Sequence, residues 1–316
     1  MDSPSLVVVG ELNADLILTS VQALPELGKE QLAEGMTLTL GSSSAILASN
    51  AGALGVDVGF VGRTGDDVVG ERVREALDDR GIDVRHVLDT PDDATGLTVI
   101  YTHGDDRGMM TYPGAMEALT IDDIPWDYVA QANHVHLSSF YLQKGLRSDV
   151  DVLFRRAKAH GLTTSLDTNW DPDEQWDGGI LDVLEAVDVF LPNDDEARRI
   201  AGEEHLGPAL ARLGQRANVV VATRGSAGAT VRANASTQSF SPPRVDPVDA
   251  VGAGDSFNAG FLRRYVEGEA LAECVRFGLV TGAYSTQAAG GTAAFDPPDA
   301  FWSFAAEHLE SVPPPS

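Results

Sequence analysis

Short apolar runs at 6–9, 58–61, 134–137, 163–166, 187–191 and 218–222 alternate with stretches of helical spacing at 44–54, 68–80, 149–160, 194–201 and 256–266. A run such as Leu6-Val7-Val8-Val9, apolar at every position, fits a strand covered on both faces. Repeated strand–helix units of this kind predict an α/β fold, a mostly parallel doubly wound sheet flanked by helices, whose ligands sit beyond the carboxyl ends of the strands. Two stretches break the alternation. Residues 16–40 and 94–112, the latter containing Thr95-Gly96-Leu97-Thr98-Val99-Ile100-Tyr101, read as alternating strands without helices and predict a small second sheet. The 316 residues suffice for one large α/β domain or two smaller ones. No internal repeat is visible, and the tail Ser311-Val312-Pro313-Pro314-Pro315-Ser316 is expected to fray.

Charge narrows the partners. Against 48 Asp plus Glu stand 22 Lys plus Arg, a formal charge of −26, and Lys29, Lys144 and Lys158 are the only lysines. The carboxylates are scattered and the apolar content is 43%, which argues against disorder. A solvated acidic surface poor in lysine suits a cytoplasm of very high salt, where screening removes most of the self-repulsion. Such a surface repels nucleic acid. A single cysteine, Cys274, excludes an intrachain disulfide. No apolar run approaches the roughly 18 residues of a membrane span, and the N-terminus has no basic region followed by an apolar stretch, so a soluble, cytoplasmic chain is expected.

The chemistry concentrates in Asp249-Ala250-Val251-Gly252-Ala253-Gly254-Asp255-Ser256-Phe257. Phe257, Phe261, Leu262, Tyr265 and Val266 have helical spacing, which places Gly252, Ala253, Gly254 and Asp255 in the helix's first turn. The unpartnered N–H groups and the positive end of the helix dipole there attract an anion, and glycine lets a phosphate approach the backbone. A carboxylate beside it can accept a proton from an attacking hydroxyl while the N–H groups hold the charge of a transferred phosphoryl group. Alone, the same string also reads as an acid complementing the dipole beside closely packed glycines.

This string resembles the D-T-x-G-A-G-D signature of the ribokinase-like (PfkB) carbohydrate kinases, with Ala250 in place of threonine. Gly10-Glu11-Leu12-Asn13-Ala14-Asp15 is similar to the family's G-x-x-N-x-D after the first strand. Val61-Gly62-Arg63-Thr64-Gly65-Asp66-Asp67-Val68-Val69-Gly70 is similar to its V-G-x-x-G-D-D-x-x-G turn. The matches run in family order from about residue 6 to about residue 295. The resemblance implies a single ribokinase-like domain over 1–316, with the strands at 16–40 and 94–112 inserted as a β lid that also serves dimerisation in the family. It implies an ATP-dependent phosphotransferase with Asp255 as base and Gly252, Ala253 and Gly254 as the anion hole.

Further positions carry over from that resemblance. Asn193 and Glu196, in Leu191-Pro192-Asn193-Asp194-Asp195-Glu196, match the N-x-x-E that organises Mg²⁺ and phosphate through water; as plain sequence they form a helix capping box. Thr223, Gly225 and Gly228 match a T-x-G-x-x-G loop beside the nucleotide phosphates, where a simple glycine turn reads equally well. Asp249, Val251, Ser285, Ala288 and Gly290 lie in segments resembling the family's K⁺ loops. For the acceptor, the resemblance points to Asn13, Asp15, Gly41, Ser42, Ser43 and Asn169; an amide beside a carboxylate suits vicinal hydroxyls, and local Asx turns are the alternative for Asn13 and Asp15.

The chain departs from the pattern in Gly41-Ser42-Ser43-Ser44-Ala45-Ile46, where the family has G-G-x-x-x-N. It also has Asp171 where the D-x-N-x-R segment has arginine, so an acidic group on a substrate needs another partner, for which Arg107 near the lid is a candidate. The expected acceptor is a small sugar; a nucleoside, a keto-deoxy sugar acid and a sugar phosphate remain alternatives, as does a binding protein without turnover, against which the intact Asp255 argues. His134 and His136 lack a third metal ligand and read as core or rim residues. There is no G-x-x-x-x-G-K-[ST], and Gly252-Ala253-Gly254 lacks the third glycine of a dinucleotide fingerprint.

Overall fold

The computed structural model describes residues 3–309 apart from 24, 104 and 105, and side chains at 103–107 are not described. Ser311–Ser316 and the side chain of Arg107 therefore lie outside the described residues.

The chain opens with β1 (Leu6–Val9), β2 (Asn13–Thr19) and β3 (Gly35–Leu40), then β4 (Val58–Gly65), β5 (Asp83–Thr90), β6 (Gly96–His103) and β7 (Asp106–Tyr112). It continues with β8 (His134–Leu137), β9 (Thr163–Leu166), β10 (Val189–Phe190), β11 (Val219–Thr223), β12 (Ala229–Ala233) and β13 (Ser236–Phe240). Nine of these form one sheet in the order β13-β12-β11-β10-β9-β8-β1-β4-β5, and all pairings from β11 to β5 are parallel. The remaining four make a second sheet, β3-β2-β6-β7.

Burial on both faces explains the unbroken apolar runs. In β1, Val7 and Val9 join one core, and Leu6 and Val8 join the other, because successive strand residues point to opposite faces. Helices Val150–Ala159, Asp194–Ala201 and Leu206–Leu213 supply the first core; Ser43–Ala53, Ala253–Val266 and Leu271–Ser285 supply the second. Strand order reverses at β1, which pairs with β4 on one side and β8 on the other. The crevice beyond its end, at Gly10-Glu11, is the switch point where open α/β sheets bind ligands.

The small sheet alternates by face. Cross-strand partners put Asp15, Thr98 and Thr111 on one face and Leu16, Leu38, Val99 and Met110 on the other. Met36, Leu38, Met110 and Tyr112 are largely exposed there. The stretch 16–40 is only partly strand, since 20–23 and 25–34 are irregular. Asn13 and Asp15 lie in β2, not in a turn after β1. Among the described residues no helix is long and apolar enough to cross a membrane.

Candidate active site

Helix Ala253–Val266 begins at Gly252, whose φ of 70° favours glycine and whose added Cβ would lie 2.6 Å from Gly291 Cα. Gly254, by contrast, has no atom within 4 Å of a built Cβ. The first turn of the helix therefore presents its backbone to open space, which is what an anion needs. Asp255 follows in that turn, half-buried. Burial, then the charge of Asp167, then those of Glu11 and Asp15 push its carboxyl up to about 8, against a hydrogen bond from Ser43.

Around Asp255 the ends of several strands converge. Asp167, just past β9, accepts from Asn258 Nδ2 at 2.6 Å, one helical turn beyond Asp255. Its carboxyl and that of Glu196 are both raised, by burial first and then by neighbouring carboxylates. Asn169 donates through Nδ2 to Ser43 Oγ at 3.1 Å and to Ser139 Oγ at 3.3 Å. Ser43 thus touches both Asn169 and Asp255.

On the side of the small sheet, Asn13 Nδ2 donates to Thr98 Oγ1 at 2.8 Å, and Asp15 shares the Thr98 hydroxyl. Burial pushes the Asp15 carboxyl up to about 6, with Thr98 opposing. Gly41 presses against this pair: a Cβ there would lie 2.3 Å from Asp15 Oδ1 and 3.0 Å from Asn13 Oδ1. Asn13 Oδ1 is buried without a partner, an acceptor the protein itself leaves unsatisfied. The Ser42 side chain is engaged elsewhere. It caps helix Ser43–Ala53 by accepting from Ala45 N and donates to Glu11 O at 2.7 Å.

The residues expected on the nucleotide side also meet. The capping box forms in full, with Glu196 N donating to Asn193 Oδ1 and Asn193 N to Glu196 Oε2, both at 2.9 Å. Asn193 also bridges Thr223 across the ends of β10 and β11. Gly225 and Gly228 shape the turn that follows; a Cβ at Gly228, φ 88°, would lie 1.9 Å from Phe240 O. The loops at 249 and 290 are fastened together, since Asp249 accepts from Val251 N at 3.0 Å and from Gly290 N at 2.9 Å. Ser285 is buried at the end of helix Leu271–Ser285, its hydroxyl on Gly282 O. Ala288 precedes Gly290 in that loop.

Other residues are not part of this crevice. His134 and His136 are fully buried within the sheet, bonded to Thr163, Ser165 and Ser138, and burial keeps both neutral. Asp171 is buried and accepts from the backbone N–H groups of Asp173, Gln175 and Trp176 at 2.7–3.1 Å, so it organises its own loop. Two residues escaped the sequence reading. Glu11 is a buried carboxylate at the switch point, held by Ser44, Ser139 and Gln143. Asn50, buried one turn beyond Ile46, donates to Ser256 Oγ and Gly291 O at 2.9 Å. The asparagine missing at 46 is thus followed by one at 50 that joins the helix to the Asp255 turn.

The chain is similar to several known kinases over nearly its whole length. It is 29% identical over 310 residues to the ATP-dependent ribose-1-phosphate kinase of Halopiger xanaduensis, with 95% of this chain and 98% of that protein covered. It is 29% identical over 312 residues to the ribokinase of Arabidopsis thaliana, covering 91% and 77%. The structure of Arabidopsis thaliana ribokinase complexed with ribose and ATP superimposes with a TM-score of 0.81 at 25% identity, covering 96% of this chain and 98% of that one. The family model described as pfkB family carbohydrate kinase matches residues 3–297. With its parallel sheet, its small second sheet and the Asp255 turn at the crevice between them, the chain belongs to the pfkB family of carbohydrate kinases, phosphotransferases with an alcohol group as acceptor.

Proposed function

We propose that this protein transfers the γ-phosphoryl group of ATP to a hydroxyl of a small sugar, with Asp255 as general base. The observation that carries this reading is the first turn of helix Ala253–Val266, where an open backbone at Gly254 adjoins a carboxyl raised to about 8. A base so placed takes the proton of the attacking hydroxyl, and the N–H groups of Gly252, Ala253 and Gly254 hold the charge on the phosphoryl group. Asn13, Asp15, Gly41, Ser43 and Asn169 position the acceptor, and Ser42 sets the entry of their helix. Thr223, Gly225 and Gly228 border the phosphates.

No cluster of three or more metal-ligating side chains occurs among the described residues. That fits Mg²⁺ held mainly by nucleotide phosphates and water. Glu196 and Asn193 would orient it through water, and the ion supplies charge neutralisation on the β- and γ-phosphates. The fastened loops carrying Asp249, Val251, Ser285, Ala288 and Gly290 would hold K⁺ through backbone carbonyls, adding positive potential beside the anion hole. The small sheet acts as a lid over the acceptor, and its exposed apolar face, with Met36, Leu38, Met110 and Tyr112, suits pairing with a second copy. The acidic surface suits a cytoplasm of high salt.

A neutral acceptor is favoured by Asp171. The position that carries arginine in D-x-N-x-R is here a carboxylate engaged with its own loop. The test is ADP release in molar KCl with ribose, fructose, cytidine, ribose 1-phosphate and 2-keto-3-deoxygluconate. Turnover with a free sugar supports the reading; turnover with none of the five, by protein that binds ATP, points to a binding protein.

A further inference from the structure

Glu11 lies at the end of β1, 2% exposed, at the point where strand order reverses. Four donors converge on its two carboxylate oxygens. Ser44 N at 3.3 Å and Ser139 Oγ at 2.7 Å reach Oε1; Ser44 Oγ at 2.5 Å and Gln143 Nε2 at 3.0 Å reach Oε2. All four are neutral, so this buried charge is held by hydrogen bonds alone. The donors come from two separate segments, the start of helix Ser43–Ala53 and the loop 139–143 after β8. The contacts then continue toward the base. Asn169 Nδ2 donates to Ser139 Oγ and to Ser43 Oγ, and Ser43 reaches Asp255.

We propose that Glu11 is a positioning residue of the active site, a carboxylate that holds helix Ser43–Ala53 and loop 139–143 in place and supplies negative charge toward Asp255. Only a carboxylate fits four donors on two acceptor atoms; an amide has one acceptor atom and two donor hydrogens, so glutamine would leave two of the four donors unmet. The charge acts at longer range. The groups facing Asp255 are Asp167 beyond β9, Glu11 beyond β1, Asp15 on β2 and Glu196 on helix Asp194–Ala201, all acidic, with the Ser43 hydroxyl opposing. Removing the Glu11 charge makes Asp255 easier to ionise and so a weaker base. This inference rests on Asp255 being the base.

The experiment compares wild type, Glu11→Gln and Ser139→Ala, each without ligand. The Asp255 carboxyl is followed by ¹³C NMR titration, its resonance identified by loss in Asp255→Asn, and backbone amide exchange is followed over 42–46 and 139–143. Glu11→Gln should lower the Asp255 midpoint by about half a pH unit or more and speed exchange in both segments about tenfold. Ser139→Ala keeps the charge and should speed exchange in 139–143 while leaving the midpoint in place; it serves as the test if Glu11→Gln does not fold. A folded Glu11→Gln protein with the wild-type midpoint, or with wild-type exchange in both segments, overturns the proposal, as does an unchanged exchange pattern in Ser139→Ala. If instead Asp255→Asn turns over normally, the assignment of the base has failed, and the Glu11 readouts, which need no substrate, are unaffected.

Discussion

Replacing Asp255 with asparagine should damage catalysis and at the same time stabilise the unliganded protein at neutral to alkaline pH. The carboxyl titrates near 8 in the fold, whereas an ordinary aspartate has 3.8. The sign follows from these two values. Below 3.8 both states hold the proton. As the pH rises from there toward 8, the unfolded chain releases it and the folded protein keeps it, so the wild type loses about 1.4 kcal/mol of stability per pH unit. Across about four pH units the gross loss is about 5–6 kcal/mol. Asp255 is only half-buried, and its acidic neighbours change protonation in concert with it, so about 2–3 kcal/mol is the realistic figure. Asparagine does not titrate. Relative to wild type, Asp255→Asn should gain that amount between pH 5 and 8.5, or about 3–5 °C in melting temperature for a domain of this size.

The assay is a set of thermal melts in 3 M KCl without nucleotide, paired with ADP release at saturating ATP. Turnover should fall roughly 10²-fold or more, with nucleotide affinity little changed. Melting curves with the same pH dependence in both proteins would refute the titration argument. Near-wild-type turnover would refute the role of base. The combination of lost activity and gained stability is what a site built for chemistry predicts, since its crowded carboxylates disfavour the folded state.

Three further outcomes are expected. Gly254→Val should fold normally, because a Cβ there meets no atom within 4 Å, yet lose activity by blocking the phosphate; normal turnover would show that this turn does not cradle it. Gly41→Ala should displace the Asp15 carboxylate, 2.3 Å from the new Cβ, and raise the acceptor KM about tenfold or more while leaving the ATP KM alone; an unchanged acceptor KM would remove Asp15 from the acceptor site. Lowering KCl from 3 M to 0.1 M lengthens the Debye length to about 10 Å and should lower the melting temperature of a chain with 48 acidic and 22 basic side chains, while rates in LiCl should fall below those in KCl; a constant melting temperature, or equal rates, would refute the salt adaptation and the K⁺ site respectively.

The parallel half of the sheet was legible because double-sided burial leaves unbroken apolar runs. Leu6–Val9, His134–Leu137 and Thr163–Leu166 coincide with runs read directly from the sequence. Edge strands lack that signal. β5, Asp83-Val84-Arg85-His86-Val87-Leu88-Asp89-Thr90, carries the charges that protect an exposed edge and does not announce itself. The hairpin of β12 and β13 is concealed differently: its turn residues Asn234 and Ala235 both have positive φ, 48° and 63°, where Asn-Gly would be the usual marker. The Asp255 turn was legible because a helix start, two glycines and an acid coincide locally. Glu11 was not, since its importance lies in partners 33, 128 and 132 residues away that only the fold brings together.

The departures from the family pattern acquire physical content in the same way. Ser42 adopts φ 66°, a conformation that favours glycine, and offsets the strain with two hydrogen bonds, one to Glu11 O and one from Ala45 N. Ile46 fills the space against Gly252 and Gly291, where built Cβ atoms would come within 3.1 Å and 2.7 Å of its side chain. Position 46 therefore contributes packing where the family motif has an amide. Deeper in this helix Asn50 adds a second polar link to the Asp255 turn beside that of Ser43, donating to the Ser256 hydroxyl and the Gly291 carbonyl. Ser256 Oγ in turn donates to Gly252 O at 2.8 Å, so a side chain one turn deeper in the helix braces its first turn. Ser42, Ile46 and Asn50 thus do three different things in one helix: strain at the cap is offset by two hydrogen bonds, Ile46 packs against Gly252 and Gly291, and Asn50 ties the helix to the Asp255 turn.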